Sequence, residues 1–137
     1  MIETICAYSE NPSCLGDCGV GTAGVCDGYS EYLVPDVLVG LCKGRHEMPV
    51  TDYIFRNELE PTNYGKMHLI AGGEVRKIQK ANPKMEVLGV YVTGLTAALA
   101  AVIFACQQVG IGVVLYHYNR DSGEYDHQMA LWPKEGV

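Results

Sequence analysis

Residues 87–118 read VLGVYVTGLTAALAAVIFACQQVGIGVVLYHY and carry no acidic or basic side chain apart from His117. About 20 apolar residues in a row can cross a bilayer, and the same length can equally hold a strand, a helix and a strand buried in one core. The composition inside the run decides between the two. Val87 to Val92 is β-branched and aromatic, as strands prefer. Thr93-Gly94-Leu95-Thr96 then interrupts with turn and cap chemistry, and Ala97 to Cys106 is rich in alanine, which favours helix. Gln107, Gln108, Gly110 and Gly112 break the pattern again, and Val113 to Tyr118 returns to strand-forming residues. A membrane helix needs no such punctuation, and Lys84 and Glu86 just upstream give no clear orientation signal. The run is therefore read as a buried unit, and no membrane association is expected.

The neighbouring segments extend this unit. Met67, Ile70, Ala71, Val75 and Ile78 recur at helical spacing while Lys66, Glu74, Arg76, Lys77 and Lys80 can face water, which predicts a helix from about 63 to 82. Asn82-Pro83 ends it, and Gly72-Gly73 weakens it by about 1 kcal/mol per glycine or marks a close approach. The rest reads as strand 86–93, helix 96–109, strand 111–118, and a hairpin through residues 119–123 into strand 124–131. Strand, helix and strand of these lengths form a βαβ unit with parallel strands. Before Pro61 the character differs, with Cys, Gly and Tyr concentrated there. Residues 2–8 suit a short strand, 11–28 a glycine-studded loop, and Val50 to Phe55 is a short ambiguous apolar segment. Tyr32 to Cys42 is apolar, but Pro35 argues against a central strand. The expectation is one domain over 1–137, with 1–60 a loop-rich half and 61–137 a helix plus a βαβ-hairpin core. The fold class is α/β, with a small mixed sheet.

Size and charge bound the function. A chain of 137 residues can bury a real core without disulfides. Sixteen Gly and six Pro indicate many turns. A formal charge of -6 argues against a general nucleic-acid coat, which needs a basic face, so no duplex nucleic acid is expected as partner. The opening MIETICAYS has neither a positive nor an apolar leader segment, so the expected compartment is the cytoplasm. Reduced thiols or metal ligands then outrank disulfides for the six cysteines.

Four groups of residues can carry chemistry. Thr93-Gly94-Leu95-Thr96 lies at the carboxyl end of one expected strand and the amino end of the next helix, where unpaired N–H groups and the helix dipole favour an anion. Gly94 lets backbone come near a ligand, and Thr96 can cap the helix or bond phosphate; a plain turn and cap would account for both as well. On the next strand His117 and Asn119 fall at the carboxyl end beside Arg120, on a rim shared with Thr93. His117 there can act as a general acid or base, while Asp121, Ser122 and Gly123 read as hairpin chemistry with Gly123 in the left-handed position. Arg45, His46 and Glu47 place a cation, an imidazole and a carboxylate in one loop, where Arg45 can bind phosphate and His46 or Glu47 can move a proton. The alternative for that hexapeptide is a solvated loop. Finally, Cys6, Cys14, Cys18 and Cys26 supply four thiols among glycines, enough for a tetrahedral zinc site, although only Cys14 and Cys18 form a close pair. Cys106, on the Ala-rich helix, reads as a small buried hydrophobe. Nine tyrosines against two phenylalanines suit half-buried strands, oligomer contacts or base stacking.

The segment from Val87 to Leu131 resembles the strand, Thr-Gly turn, helix, strand and hairpin of CARF-type Rossmann-like domains, which sense cyclic oligoadenylates in type III CRISPR defence, and the small ring nucleases that degrade those signals. In that family a Thr-Gly-Gly-Thr type turn contacts phosphate or ribose; this chain has Thr93-Gly94-Leu95-Thr96. The resemblance covers about the last third of the chain. It implies a Rossmann-like sheet and a small nucleotide ligand such as a cyclic oligonucleotide in anti-phage or counter-defence signalling, and a homodimer or larger homo-oligomer is the expected assembly. Thr93, Gly94, Leu95, Thr96 and Asn119 would bind it. Where cleavage occurs it would be metal-independent, a ribose 2'-hydroxyl attacking in line with His117 or His46 as base and Arg45 or Arg120 stabilising charge. No cofactor is expected beyond a zinc at the N-terminal cysteines. Two rival functions stand beside this one: a non-enzymatic interaction or structural protein whose Cys-rich loop holds a metal or mediates assembly, and a redox enzyme using Cys14 and Cys18.

Overall fold

The computed structural model describes residues 2–6, 29–44 and 47–134, with 2–6 and 29–32 as backbone alone. Its chain contacts divide into two units, Met1–Val34 and Pro35–Val137. In the first, β1 (Ile2–Cys6) and β2 (Tyr29–Leu33) pair antiparallel, Ile2 opposite Leu33 and Cys6 opposite Tyr29. The glycine-studded loop expected at 11–28, and with it Cys14, Cys18 and Cys26, lies outside the described residues, as do Arg45 and His46.

The second unit is an α/β fold built on one five-stranded mixed sheet and two helices. Its elements are β3 (Val37–Cys42), β4 (Tyr53–Phe55), α1 (Tyr64–Ala81), β5 (Val87–Tyr91), α2 (Thr96–Val109), β6 (Gly112–Asn119) and β7 (Glu124–Leu131). The strand order is β4-β3-β5-β6-β7. All neighbours are parallel except β6 and β7, which form the C-terminal hairpin. The βαβ unit expected from residues 87–118 is present as β5-α2-β6, with Val87 opposite Gly112 and Tyr91 opposite Tyr116. Among the described residues no helix is long and apolar enough to cross a membrane. The composition changes near Pro61, yet β3 and β4, which precede it, share the sheet of the later strands.

Pro35 does not keep its segment out of the sheet. It stands two residues before β3, and β3 is central, between β4 and β5. A proline costs a ladder hydrogen bond only where its missing N–H would be used. The strand entry is held instead by Asp36, whose carboxylate accepts from the backbone N–H of Glu86 (2.8 Å) and of Val87 (3.1 Å). The Asp36 N–H donates to the carbonyl of Val87 at 2.9 Å. One side chain thereby fixes where β3 and β5 begin relative to each other.

The core lies between the sheet and the two helices. Val39 and Leu41 of β3, Leu88 and Val90 of β5, and Val113 and Leu115 of β6 share one face by their period of two and their register. Met67, Ala71 and Val75 of α1 and Ala98, Ala101, Val102 and Cys106 of α2 pack on it. Alanines at the buried positions of α2 let that helix sit close to the sheet. Helix α1 starts as expected, with the Asn63 side chain accepting from the Lys66 N–H at 3.1 Å. Helix α2 ends at Gly110, whose φ of 78° is the left-handed cap that glycine adopts without strain. The opposite sheet face carries a run of tyrosines. Tyr91 and Tyr116 stack at 4.7 Å, Tyr125 meets Tyr91 edge-on at 4.8 Å, and Tyr118 meets Tyr125 at 5.4 Å.

Candidate functional site

Strand order decides where a site can form. From β3 the chain runs to β4 on one side, whereas β5 lies on the other side of β3 and leads on to β6. The loops leaving the carboxyl ends of β3 and β5 therefore diverge and open a crevice, the place where ligands bind in open α/β sheets. A cleft of about 580 Å³ occupies this position, lined among the described residues by Glu47 and Met48 after β3 and by Val92, Thr93 and Gly94 after β5. His117, Tyr118 and Arg120 at the end of β6 and Tyr125 at the start of β7 close its other side. β7 runs antiparallel, so its first residues reach the same end of the sheet as the last residues of β6. The volume is that of an ordinary small-molecule site.

Thr93 is the unusual member. It is only 6% exposed, and its hydroxyl oxygen is sealed from solvent without a hydrogen-bond partner. Buried polar groups in native proteins are nearly always bonded, because leaving one unpaired costs about 1–3 kcal/mol. The group sits just before α2, whose N-cap is Leu95 and whose amino end receives no side-chain hydrogen bond. Thr96 is thus the first residue of the helix and does not cap it, contrary to one of the two roles expected of it. Beside the cleft the fold thus leaves donors unmet, the Thr93 hydroxyl and the N–H groups at the uncapped start of α2, with the exposed Gly94 between them in the chain.

His117 stands on the neighbouring strand, one residue past the Tyr91–Tyr116 pair. Its Nε2 lies 2.8 Å from the Gln128 side-chain oxygen across the hairpin. In the Nε2–H tautomer that this contact favours, Nδ1 keeps its lone pair and is available as a base or an acceptor. Arg120 is exposed and makes no ion pair among the described residues. Tyr125 is pushed above the ordinary tyrosine range, first by burial and then by the neighbouring phenols of Tyr91, Tyr118 and Tyr53. It remains a neutral phenol, able to donate, at physiological pH.

The structure brings together Thr93, Gly94, His117 and Arg120 in this cleft and leaves three other expected residues out of its lining. Leu95 lines a separate recess of about 330 Å³ with Cys42, Lys43 and Leu59. Thr96 is exposed at the start of α2. Asn119 is committed to the hairpin: its side-chain oxygen accepts from the N–H of Asp121 (2.9 Å), and its amide donates to Asp126 (3.0 Å). Gly123 takes the left-handed conformation expected of it, with φ 72°. Arg45, His46 and the thiols of Cys6, Cys14, Cys18 and Cys26 are not described. Among the described residues no group of three or more His, Cys, Asp or Glu could hold a metal ion.

No protein-family model, no curated protein and no solved structure matches this chain. The chemistry of the cleft therefore rests on its own residues. Met48 and Val92 are lining residues that sequence reasoning missed, as it missed Gln128, the partner of His117, while Tyr118 and Tyr125 were raised only among nine tyrosines suited to stacking. For Tyr118 and Gln128 a signal existed: a hairpin with residues 119–123 at its turn puts Tyr118 opposite Tyr125 and Leu115 opposite Gln128. Met48 had none, since nothing local announces that β3 is central.

Proposed function

We propose that this protein binds a phosphate-bearing nucleotide in the cleft at the carboxyl ends of β3, β5 and β6. The unpaired Thr93 hydroxyl carries the proposal, since a buried donor beside an uncapped helix end is costly until an acceptor arrives. A phosphate supplies several acceptor oxygens at once and suits the positive end of α2. Arg120 adds the only described cation of the lining, in a fork that matches phosphate oxygens. Tyr118 and Tyr125 offer ring faces and edges to a planar base on the far side of the same cleft. The likeness of Val87 to Leu131 to CARF-type domains adds that the nucleotide is a signalling molecule such as a cyclic oligonucleotide.

Cleavage of such a ligand needs no metal in this scheme. The ribose 2'-oxygen attacks phosphorus, its proton passing to Nδ1 of His117. The bond from phosphorus to the 5'-oxygen breaks, the leaving oxygen takes up a proton from water, and Arg120 offsets the charge on the phosphoryl oxygens. The products are a linear chain with a 2',3'-cyclic phosphate and a 5'-hydroxyl.

A thermal-shift screen of mono-, di- and cyclic nucleotides tests binding. A ligand at 100 times its dissociation constant adds about 2.7 kcal/mol to stability, a rise of several degrees in Tm. The rise should shrink in Arg120→Gln. Absence of a shift with every nucleotide would refute the proposal. Mass spectrometry of a bound cyclic ligand after incubation separates cleavage from sequestration.

A further inference from the structure

The outer surface of the helix pair is not finished as a solvent face. Leu69 of α1 is 78% exposed and Phe104 of α2 is 51% exposed. They flank one groove of about 360 Å³, which Gly65, Gly72, Arg76 and Gln108 also line. His68 meets the Phe104 ring edge-on at 5.4 Å and holds it there.

The glycines of α1 are informative because the chain itself does not require them. A Cβ added at Gly65 or Gly73 would have nothing within 4 Å, and one at Gly72 would meet only the Arg76 guanidinium at 3.4 Å. Each glycine inside a helix nevertheless costs roughly 1 kcal/mol relative to alanine. A groove kept shallow at that cost, between two exposed apolar side chains, fits the close approach of another backbone.

Charge indicates which backbone. α2 carries no charged residue, and α1 carries Lys66, Arg76, Lys77 and Lys80 against Glu74 alone. Glu74 is engaged by Arg56 at 3.2 Å and Lys77 at 3.5 Å. Arg76 lines the groove and Lys80 follows one turn later; neither makes an ion pair among the described residues. The helix layer is thus basic in a chain of net charge -6. A second copy of the same face would gather Lys66, Arg76, Lys77 and Lys80 of both copies into one interface, against Glu74 carboxylates that are already engaged. A membrane surface would be met better by a convex face than by a recess.

We propose that the α1–α2 groove docks a helical segment of a partner protein, with an apolar stripe that seats between Leu69 and Phe104 and with Asp or Glu beside it for Arg76 and Lys80. This is the helix-in-groove mode, with apolar anchors at i, i+3 or i+4, and i+7. It is independent of the nucleotide cleft.

The test is selection of displayed helical peptides on the full-length protein, with counter-selection on Leu69→Glu. Surviving peptides should carry apolar anchors at that spacing and acidic flanks. A resynthesised survivor should lose at least tenfold in affinity on Leu69→Glu and several-fold on Arg76→Glu combined with Lys80→Glu, and should bind more weakly as salt rises. All three positions are exposed, so the variants should melt close to wild type; Leu69→Ser serves if the charged one does not. The proposal is overturned by no survivors, by survivors with basic flanks, by binding equal on wild type and variants, or by a groove that proves occupied by a second copy. The last would appear as a wild-type dimer in sedimentation that Leu69→Glu makes monomeric. Vesicles containing anionic lipid provide the remaining arm: binding to them that depends on Leu69 assigns the face to membranes and likewise overturns it.

Discussion

Replacing Thr93 with valine keeps the side-chain shape and removes one hydroxyl, and it should move stability and binding in opposite directions. The hydroxyl oxygen is sealed from solvent and has no hydrogen-bond partner, so the unliganded protein carries its desolvation cost of about 1–3 kcal/mol. The added methyl packs where Thr93 is only 6% exposed, among Val92 and other cleft residues. Thr93→Val should therefore raise the stability of the unliganded protein by about 1–2 kcal/mol, roughly 3–6 °C in Tm for a unit of this size. The same variant loses one hydrogen bond to a charged acceptor, worth about 1.5–3 kcal/mol, so the nucleotide dissociation constant should rise at least about tenfold. Urea unfolding without ligand and calorimetric titration with the best nucleotide measure the two quantities separately. A Thr93→Val protein that is less stable than wild type would refute the reasoning, because the hydroxyl must then be satisfied. Unchanged affinity would show that the hydroxyl does not serve the ligand.

Three further outcomes follow from the geometry. Asn119→Ala should lower stability by about 1–2 kcal/mol, since it removes the turn bonds to Asp121 and Asp126, while leaving nucleotide affinity within about twofold in the same titration. Gly112→Ala should destabilise by 2 kcal/mol or more, on the order of other overpacking substitutions, because a Cβ there would lie 2.7 Å from Pro133 Cδ and 2.9 Å from the Leu131 carbonyl oxygen; urea unfolding measures it. Burial pushes the Cys106 thiol up to about 12 from an ordinary value of 9.0. The folded state holds that proton more tightly than the unfolded state. The resulting stabilisation is complete below pH 9 and is lost as pH rises towards 12, at most about 4 kcal/mol in all. Cys106→Ala should accordingly lose less stability than wild type between pH 9 and 11, and iodoacetamide at pH 8 should label Cys106 only after denaturation.

Local chemistry was legible where caps and periodicity coincide. Helix 96–109 and strand 124–131 lie at their expected limits, because Gly110 and Gly123 end and turn the chain at positions only glycine fills easily. Non-local pairing was not legible. Pro35 argued against a central strand, yet β3 is central because the proline precedes the first ladder bond and Asp36 ties the strand to β5, 51 residues away at Val87. The switch point between β3 and β5 depends on strand order, and β4, three residues long, leaves almost no periodic signal. The rim of Thr93, Gly94, His117 and Arg120 was nonetheless foreseeable, since strand ends in an α/β sheet face one way. What sequence could not supply was which polar atoms stay unpaired: Asn119 spends both ends of its amide on the hairpin, whereas Thr93 spends nothing.

The cleft lies across the ends of the strands rather than on either face of the sheet, so neighbours of opposite parity, His117 and Tyr118, both reach it. The core of β6 stops at Leu115, two residues earlier. Residues 117, 118 and 120 can therefore be exchanged with little penalty in core packing, whereas Asn119 and Gly123 hold the hairpin, so ligand preference can change at the first set while the scaffold stays fixed. Selection on the ligand and selection on foldability act here on separate sets of codons.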